Sequence, residues 1–447
     1  VWSSKRQNLL TKSDKSAAAR RANTEGSMRE YGVIVFGASG FTGKRVMVEM
    51  AANCSNVKWA AAGRSEQRIN QAIASVGLVG VDVVVADCGD EDSLLAMCAR
   101  ADVVINCTGP FRFYGPPVVK ACIAQATNYV DITGEPEFME KMELEYDEAA
   151  RDARVHIVSA AGFDSVPADE GFVFTKEQFG HCAYAESFLS LDSSAGFAGH
   201  ATTFECVVHG LGSAKELKEV RAALAEKRPR GVPFAGKKLK VQDLYSEPRI
   251  EGGAYVSKFP GADASVVKRS ELFRSAASGE PQSQYGAYIV IGNLWNAARL
   301  GFHQKVIETA ILFDFGKKHV LEHPGFWTAG VFSHDGPSEE QMAKTSFSMT
   351  FHASGFTKES AAAGEISGTP DVKVVTRVSG PEPGYVATPI FVVAAALTCI
   401  EDHKKMGPGG VKTPSMAFKG TGYRQKLIKR GIKFEVLEVG GSTGEAK

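Results

Sequence analysis

Short apolar runs alternate with amphipathic stretches from residue 31 to about residue 160. The first run, residues 33–36, is apolar at every position, which is typical of a strand buried on both faces of a parallel sheet. Similar runs predict strands at 57–62, 81–87, 102–107, 129–132 and 155–159. The intervening stretches predict helices at 44–52, 90–99, 116–126 and 135–153. This alternation predicts an α/β fold with a Rossmann-type doubly wound parallel sheet.

The pattern changes after Gly162. Residues 346–352 alternate, with Phe347, Met349 and Phe351 on one face and polar residues on the other, as in a half-buried antiparallel strand. Further elements are predicted as helices at 165–179, 202–226, 389–403 and 423–430 and strands at 187–191, 371–378 and 432–436. Together they predict a second α+β domain with a largely antiparallel sheet.

These patterns divide the chain into four parts. Residues 1–27 carry six Lys or Arg and two acids, and are either a flexible tail or cloning remnant, with Met28 as the natural start, or an organelle targeting segment. Residues 28–162 form the first domain and residues 163–380 the second. Residues 381–447 are predicted to pack back near the first domain. The exposed sheet of the second domain would suit a homodimer.

Composition narrows the functional classes. Lys plus Arg and Asp plus Glu are equal at 51 each, which gives no argument for a nucleic-acid partner. The eight cysteines are scattered without zinc-ligand spacing, so no metal site is predicted. Residues 383–400 lack charge, but Pro383, Gly384 and Pro389 interrupt them, so we expect a core helix rather than a membrane span.

A glycine turn follows the first predicted strand. Gly37, Gly40 and Gly43 have the spacing G-x-x-G-x-x-G, and a predicted helix begins directly after them. A strand, a tight turn and a helix N-terminus direct unpaired backbone N–H groups and a positive dipole at one point, which suits a pyrophosphate. The predicted dinucleotide-binding residues of this turn are Gly37, Ala38, Ser39, Gly40, Phe41, Thr42 and Gly43.

The residues at the end of the second predicted strand indicate which dinucleotide the site binds. An acidic residue about 20 residues after the glycines would hold the ribose 2′-hydroxyl of NAD(H), but this chain has Arg64 and Ser65. Arginine forks onto a 2′-phosphate, so NADP(H) is predicted in preference to NAD(H), the alternative being that Arg64 is a solvated loop residue. Other strand ends add Asp87, Thr108, Gly109 and Pro110 to the predicted cofactor site.

Three polar residues are candidates for catalysis. Arg112 and Tyr114 follow the fourth strand and could donate to a substrate oxygen, or the segment could simply pack, with residues 114–117 as a turn before a helix. Asp164 lies where the chain leaves the first domain. It is an acid or orienting group, or the N-cap of the helix that follows.

A basic stretch without acids follows the helix predicted at 202–226. It is either a solvated loop or a contact for anionic lipid headgroups. Its charged members are Lys227, Arg228, Arg230, Lys237, Lys238 and Lys240.

Seven segments together carry a resemblance to a protein family, namely residues 36–43, 62–65, 106–115, 131–136, 162–169, 380–389 and 409–414. They resemble the saccharopine dehydrogenase-like oxidoreductases, the branch that contains animal proteins and bacterial trans-acting enoyl reductases. The resemblance covers about residues 31 to 438.

The resemblance implies an NADP-type reductase in a lipid-linked setting inside the cell, on lipid droplets or an organelle such as the mitochondrion. Animal relatives have a long apolar stretch corresponding to residues 286–315. Arg299, His303, Lys305, Glu308 and Asp314 interrupt it here, which argues against firm membrane attachment through it. The leading hypothesis is an NADP(H)-dependent reductase of a lipid carbonyl or enoyl group. The alternative is a nucleotide-binding accessory protein of a lipid droplet or organelle membrane, without turnover.

Overall fold

The computed structural model describes residues 29–250, 252–366 and 368–441. The basic tail predicted at residues 1–27 therefore lies outside the described residues.

The first sheet is parallel throughout. Its order, β15-β6-β5-β4-β1-β2-β3, contains the doubly wound order 3-2-1-4-5-6, and thereby confirms the predicted fold class. The seven strands are β1 Tyr31–Phe36, β2 Trp59–Gly63, β3 Asp82–Val85, β4 Ala101–Asn106, β5 Asn128–Asp131, β6 His156–Val158 and β15 Gly410–Lys412.

Both faces of this sheet are covered. Val33 and Val35 pack into one hydrophobic cluster and Ile34 and Phe36 into another, which explains why the run is apolar at every position. The covering helices of the first domain are α1 Phe41–Asn53, α2 Glu66–Ser75, α3 Glu91–Ala99, α4 Phe111–Ala124 and α5 Pro136–Asp152.

The start of α4 corrects one prediction. The helix begins at Phe111 and not at residue 116, so Arg112 and Tyr114 lie in its first two turns instead of a loop. Pro116 and Pro117 are inside the helix, and the predicted turn at 114–117 is wrong. The cause is a tertiary contact, because the Glu135 carboxylate accepts a hydrogen bond from the backbone N–H of Phe111 at 2.8 Å.

The second sheet is mixed and mostly antiparallel, with the order β16-β14-β13-β7-β11-β10-β9. Among the described residues, its one parallel pair joins β7 and β11. Two further strands, β8 Gly199–His200 and β12 Phe332–Ser333, pair with each other. The seven strands are β7 His181–Ser193, β9 Leu244–Glu247, β10 Ala254–Lys258, β11 Gln284–Gly292, β13 Thr345–Phe356, β14 Val372–Pro381 and β16 Lys433–Gly441.

The prediction of a single helix at 202–226 is wrong. The structure has two helices there, α7 and α8, separated at Gly212 and Ser213. The remaining helices to residue 362 are α6 Val166–Lys176, α7 Ala201–Leu211, α8 Ala214–Lys227, α9 Asp263–Ser278, α10 Leu294–Ala310, α11 Asp314–Glu322, α12 Pro324–Trp327, α13 Glu339–Ala343 and α14 Lys358–Ala362.

The C-terminal segment contributes to both sheets. Strand β15 pairs with β6 in the first sheet and β16 with β14 in the second. After a π-helical turn at Pro383–Ala387 come α15 Thr388–Glu401, a short 3₁₀ turn at His403–Lys405, α16 Pro414–Ala417 and α17 Tyr423–Lys429. Among the described residues, Pro383–Glu401 is the one helical segment long and apolar enough to span a membrane, and 78% of it is buried inside the protein.

Buried ion pairs fasten the second domain to α5. Glu140 accepts hydrogen bonds from Arg221 of α8 at 2.7 Å and from the Ser265 hydroxyl of α9 at 2.9 Å. One turn further along α5, Glu143 pairs with Arg228 at 2.7 Å and with Arg269 at 2.6 Å. Arg228 belongs to the basic stretch, so this member forms a structural ion pair and is not solvated.

Candidate functional site

The glycine turn lies where the strand order of the first sheet reverses, between β1 and β4. Gly37 has φ +83°, and a Cβ there would stand 2.9 Å from the Thr108 methyl carbon after β4. A Cβ at Gly43 would stand 2.2 Å from the Gly37 carbonyl oxygen. Side chains are therefore excluded at both positions. A turn this tight at the switch point leaves α1 N–H groups open to a pyrophosphate.

Residues of the second domain and of the C-terminal segment cover the start of α1. The Phe41 ring stacks on His200 at 5.2 Å and meets Tyr385 edge-on at 4.8 Å. The Tyr385 hydroxyl also accepts a hydrogen bond from the His200 backbone N–H at 2.7 Å. His200 and Tyr385 were not predicted from the sequence, because each is more than 150 residues from the turn.

The predicted 2′-phosphate residues lie at the end of β2. Arg64 is exposed and makes no hydrogen bond or ion pair within the described part of the chain. The Ser65 hydroxyl accepts the Arg68 N–H at 3.3 Å and so caps α2. Asp87 is also exposed, after β3, and accepts the Gly89 N–H at 2.8 Å. Arg64 thus directly precedes the N-cap of α2, whose helix dipole is positive at this end.

The segment after β4 holds the other predicted cofactor residues. The Thr108 N–H donates to Asn106 Oδ1 at 3.0 Å, and Pro110 stands at the N-terminus of α4. Gly109 faces α7, since a Cβ there would stand 3.6 Å from the Thr202 methyl carbon. The loop therefore lies between the glycine turn and the second domain.

Arg112 is held in place rather than free. Its Nε lies 2.6 Å from Glu135, which is 2% exposed, and its Nη1 donates to the His209 carbonyl of α7 at 2.9 Å. Arg112 thus ties α4 to α7. Glu135 is a residue that sequence analysis missed, although it lies in one of the motifs that carried the resemblance. Tyr114 is 46% exposed and makes no hydrogen bond among the described residues.

Asp164 does not cap α6. The cap position is Ser165, whose side chain makes no capping hydrogen bond, so the N-cap interpretation is wrong. Burial raises the pKa of the Asp164 carboxyl to about 6, and Asp164 Oδ1 has no hydrogen-bond partner among the described residues. Asp263, the first residue of α9, is 2% exposed, and burial followed by the Asp164 charge raises the pKa of its carboxyl. Two carboxyl groups that disfavour each other's ionisation can hold a proton at neutral pH.

We expect Asp164→Asn to stabilise the protein at pH 7.5 and to change little at pH 4.5. A carboxyl with a raised folded-state pKa stabilises the fold below its unfolded pKa, and this contribution is lost as pH rises from about 4 to 6. The gain is at most about 3 kcal/mol, measured by denaturant unfolding at both pH values. Asp152→Asn, at the exposed end of α5, is the control. An equal change at both pH values would contradict the assignment.

A cavity of about 1780 Å³ lies beside this site. Pro136, adjacent to the Glu135 that holds Arg112, lines it. Helix α7 borders both, since Thr202 faces Gly109 while Phe204 and Val208 face the cavity. The apolar lining includes Phe204, Val208, Ile289, Ile291, Leu300 and Ile307. The sequence patterns do not predict this cavity.

Residues 33–158 match the family model described as the saccharopine dehydrogenase NADP binding domain. This match confirms NADP(H) as the cofactor of the first domain. The roles of the individual site residues stay predictions.

Two curated relatives match over nearly the whole chain, and a third matches about a third of it. The human saccharopine dehydrogenase-like oxidoreductase is 37% identical over 92% of this chain and 98% of its own length. A lipid droplet localized protein of Caenorhabditis elegans is 34% identical over 92% of this chain and 99% of its own length. A predicted trans-acting enoyl reductase of Mycobacterium tuberculosis is 41% identical over 32% of this chain and 34% of its own length.

A solved structure shares the fold. The apo saccharopine dehydrogenase (L-Glu forming) of Saccharomyces cerevisiae aligns with a TM-score of 0.51 at 12% identity, covering 91% of this chain and all of that one. At this identity the likeness concerns the fold alone.

Proposed function

This chain belongs to the saccharopine dehydrogenase-like oxidoreductase family, and we propose that it reduces a carbonyl or enoyl group on a long-chain lipid with NADPH. The observation that carries the proposal is the cavity of about 1780 Å³, which is bordered by α7, the helix that also faces Gly109 in the loop after β4. A substrate-sized pocket lined by apolar side chains beside the cofactor suits an acyl chain. The names of the nematode and mycobacterial relatives agree with a lipid substrate and an enoyl reduction.

In this proposal the substrate gains a hydride and a proton. NADPH supplies the hydride, and the residues near the cavity position the substrate and supply the proton. Asp164 is the proposed proton donor, because its unpartnered Oδ1 lies next to Gly261 of the cavity lining, 3.2 Å from where a Cβ would stand, and its raised pKa keeps part of it protonated near neutral pH. Arg112, which pairs with Glu135, positions α4 against α7. Tyr114 of the same helix is exposed and offers its hydroxyl to the substrate.

The test is NADPH consumption by purified protein with a panel of long-chain enoyl and keto lipids. Leu300→Trp places a large ring on the α10 face that lines the cavity, so we expect a raised KM for long chains with unchanged NADPH binding. Val306→Trp is the matched control, since Val306 lies on the same helix and does not line the cavity. NADPH binding without consumption across the panel would favour the accessory, non-enzymatic role.

We propose further that α10, α11 and α12 bind to a lipid surface. Trp295 is 75% exposed and Phe315 82%, and only Ala297 of α10 is buried. A soluble monomer rarely exposes so many large apolar side chains together. The exposed set is Leu294, Trp295, Phe302, Leu312, Phe313, Phe315 and Phe326.

The charged residues that interrupt the apolar stretch at 286–315 do not contribute to this exposed apolar surface. Arg299 and His303 line the cavity, and Lys305 pairs with Glu308 at 3.0 Å. Helix α10 therefore directs Arg299 and His303, together with Leu300 and Ile307, towards the cavity and other apolar side chains outwards, so a lipid could pass from the surface into the cavity.

We expect the triple variant Phe313→Ser, Phe315→Ser, Phe326→Ser to bind phospholipid vesicles at least tenfold more weakly than wild type. Each Phe side chain transferred from water contributes about 1.5–3 kcal/mol when fully buried, and less at an interface. Vesicle flotation measures the binding. Val79→Ser, at a 91% exposed position of the first domain, is the control. A wild-type protein that ignores vesicles but forms a dimer dispersed by the triple variant would show that a second copy covers this surface.

A further inference from the structure

The cavity wall next to the first domain carries three cations. Arg221 of α8 and Lys268 of α9 line it, together with Lys258 at the end of β10. Arg221 is fixed by Glu140 and by the Ser265 hydroxyl, which accepts from its Nη2 at 3.0 Å. Lys258 and Lys268 make no ion pair within the residues that the structure describes. Two lysines without counter-ions thus stand beside an anchored arginine.

The acids of the cavity do not balance this charge. Six Lys or Arg residues line it against two acids, Glu140 and Asp243. Glu140 already pairs with Arg221 and Arg228, and Glu143, outside the lining, pairs with Arg228 and Arg269. Lys258, Lys268 and Arg299, like the Asp243 side chain, form no ion pair in the described part of the chain. Burial, and then the charges of Lys258 and Arg221, lower the pKa of Lys268. An anion bound here would relieve this repulsion.

The position of these three cations determines the orientation of a ligand in the cavity. Glu140 lies one helical turn beyond Pro136, which follows the Glu135 that holds Arg112. The apolar side chains of Leu300, Ile307 and Trp327 line the cavity from α10 and α12. An anionic head at the cluster would therefore lie near the first domain, with its chain extending towards α10.

We propose that Arg221, Lys258 and Lys268 bind a phosphate group at the head of the long-chain substrate. The proposal rests on the proposed lipid function and names the chemical class of the substrate at that same cavity. Arginine pairs with phosphate oxygens through its fork and lysine as a point charge. All three residues are exposed at this end of the cavity, where a solvated head group can meet them. The phosphate belongs either to a glycerolipid or to the coenzyme A part of an acyl thioester.

The test is the direct binding of three probes to the full chain with NADPH present. They are a 16-carbon lysophosphatidate, palmitoyl-coenzyme A and a neutral 16-carbon monoacylglycerol. Lys258→Gln with Lys268→Gln should weaken binding of a phosphate-bearing probe at least tenfold and leave monoacylglycerol and NADPH unchanged. The matched control is Lys215→Gln with Lys218→Gln, two exposed lysines of α8 outside the cavity lining. The two phosphate probes distinguish the two sources.

The outcomes separate this inference from the proposed function. If monoacylglycerol binds as tightly as both phosphate probes and the double variant changes none of them, the phosphate site is overturned while the lipid cavity stands. If none of the probes binds although NADPH does, both proposals fail. A loss of all probe binding in the control variant as well would show a general charge effect and overturn the assignment to these two lysines.

Discussion

Gly43→Ala should lower the affinity for NADPH at least a hundredfold. The added Cβ would stand 2.2 Å from the Gly37 carbonyl oxygen and 2.9 Å from Ala38 Cα, and both neighbours are backbone atoms of the turn itself. The methyl group fits only if the turn opens, which moves the N–H groups away from the pyrophosphate. A hydrogen bond to a charged group contributes about 1.5–3 kcal/mol, and losing two of them exceeds a hundredfold.

Calorimetric titration with NADPH measures this effect, and thermal unfolding checks that the variant is folded. Gly40→Ala provides a graded comparison, because its Cβ would stand 3.2 Å from the same carbonyl oxygen and needs only a small shift. Gly301→Ala, where the added carbon meets open space, is the control for a general effect of alanine. If folded Gly43→Ala binds NADPH within threefold of wild type, the pyrophosphate does not lie on this turn.

The first sheet was predictable because its strands are buried on both faces. Val33 to Phe36 alternate between two hydrophobic clusters, so each position must be apolar and the strand is visible in the sequence alone. The glycine turn was predictable in part for a local reason, since the close approach at Gly43 is to Gly37 and Ala38 of the same turn, whereas the one at Gly37 is to Thr108 after β4.

The catalytic side of the site depends on contacts that no local pattern carries. The start of α4 depends on the Glu135 carboxylate, 24 residues after Phe111. The carboxyl pair consists of Asp164 and Asp263, which are 99 residues apart in the sequence. The cavity is lined by residues of α5, α7, α9, α10 and β11. Local periodicity reports which face of an element is buried, but not which distant element covers it.

Arg64→Ala should weaken NADPH binding roughly ten- to a hundredfold and leave NADH binding nearly unchanged. Arg64 is exposed beside the α2 N-terminus, and no partner within the described residues competes for its guanidinium. The bonds to a 2′-phosphate that NADH lacks are worth about 1.5–3 kcal/mol. Arg64→Lys, which keeps the charge and loses the fork, should fall between wild type and Arg64→Ala. Calorimetric titration of both cofactors decides the matter. If wild type prefers NADH, or Arg64→Ala loses both cofactors equally, Arg64 does not recognise the 2′-phosphate.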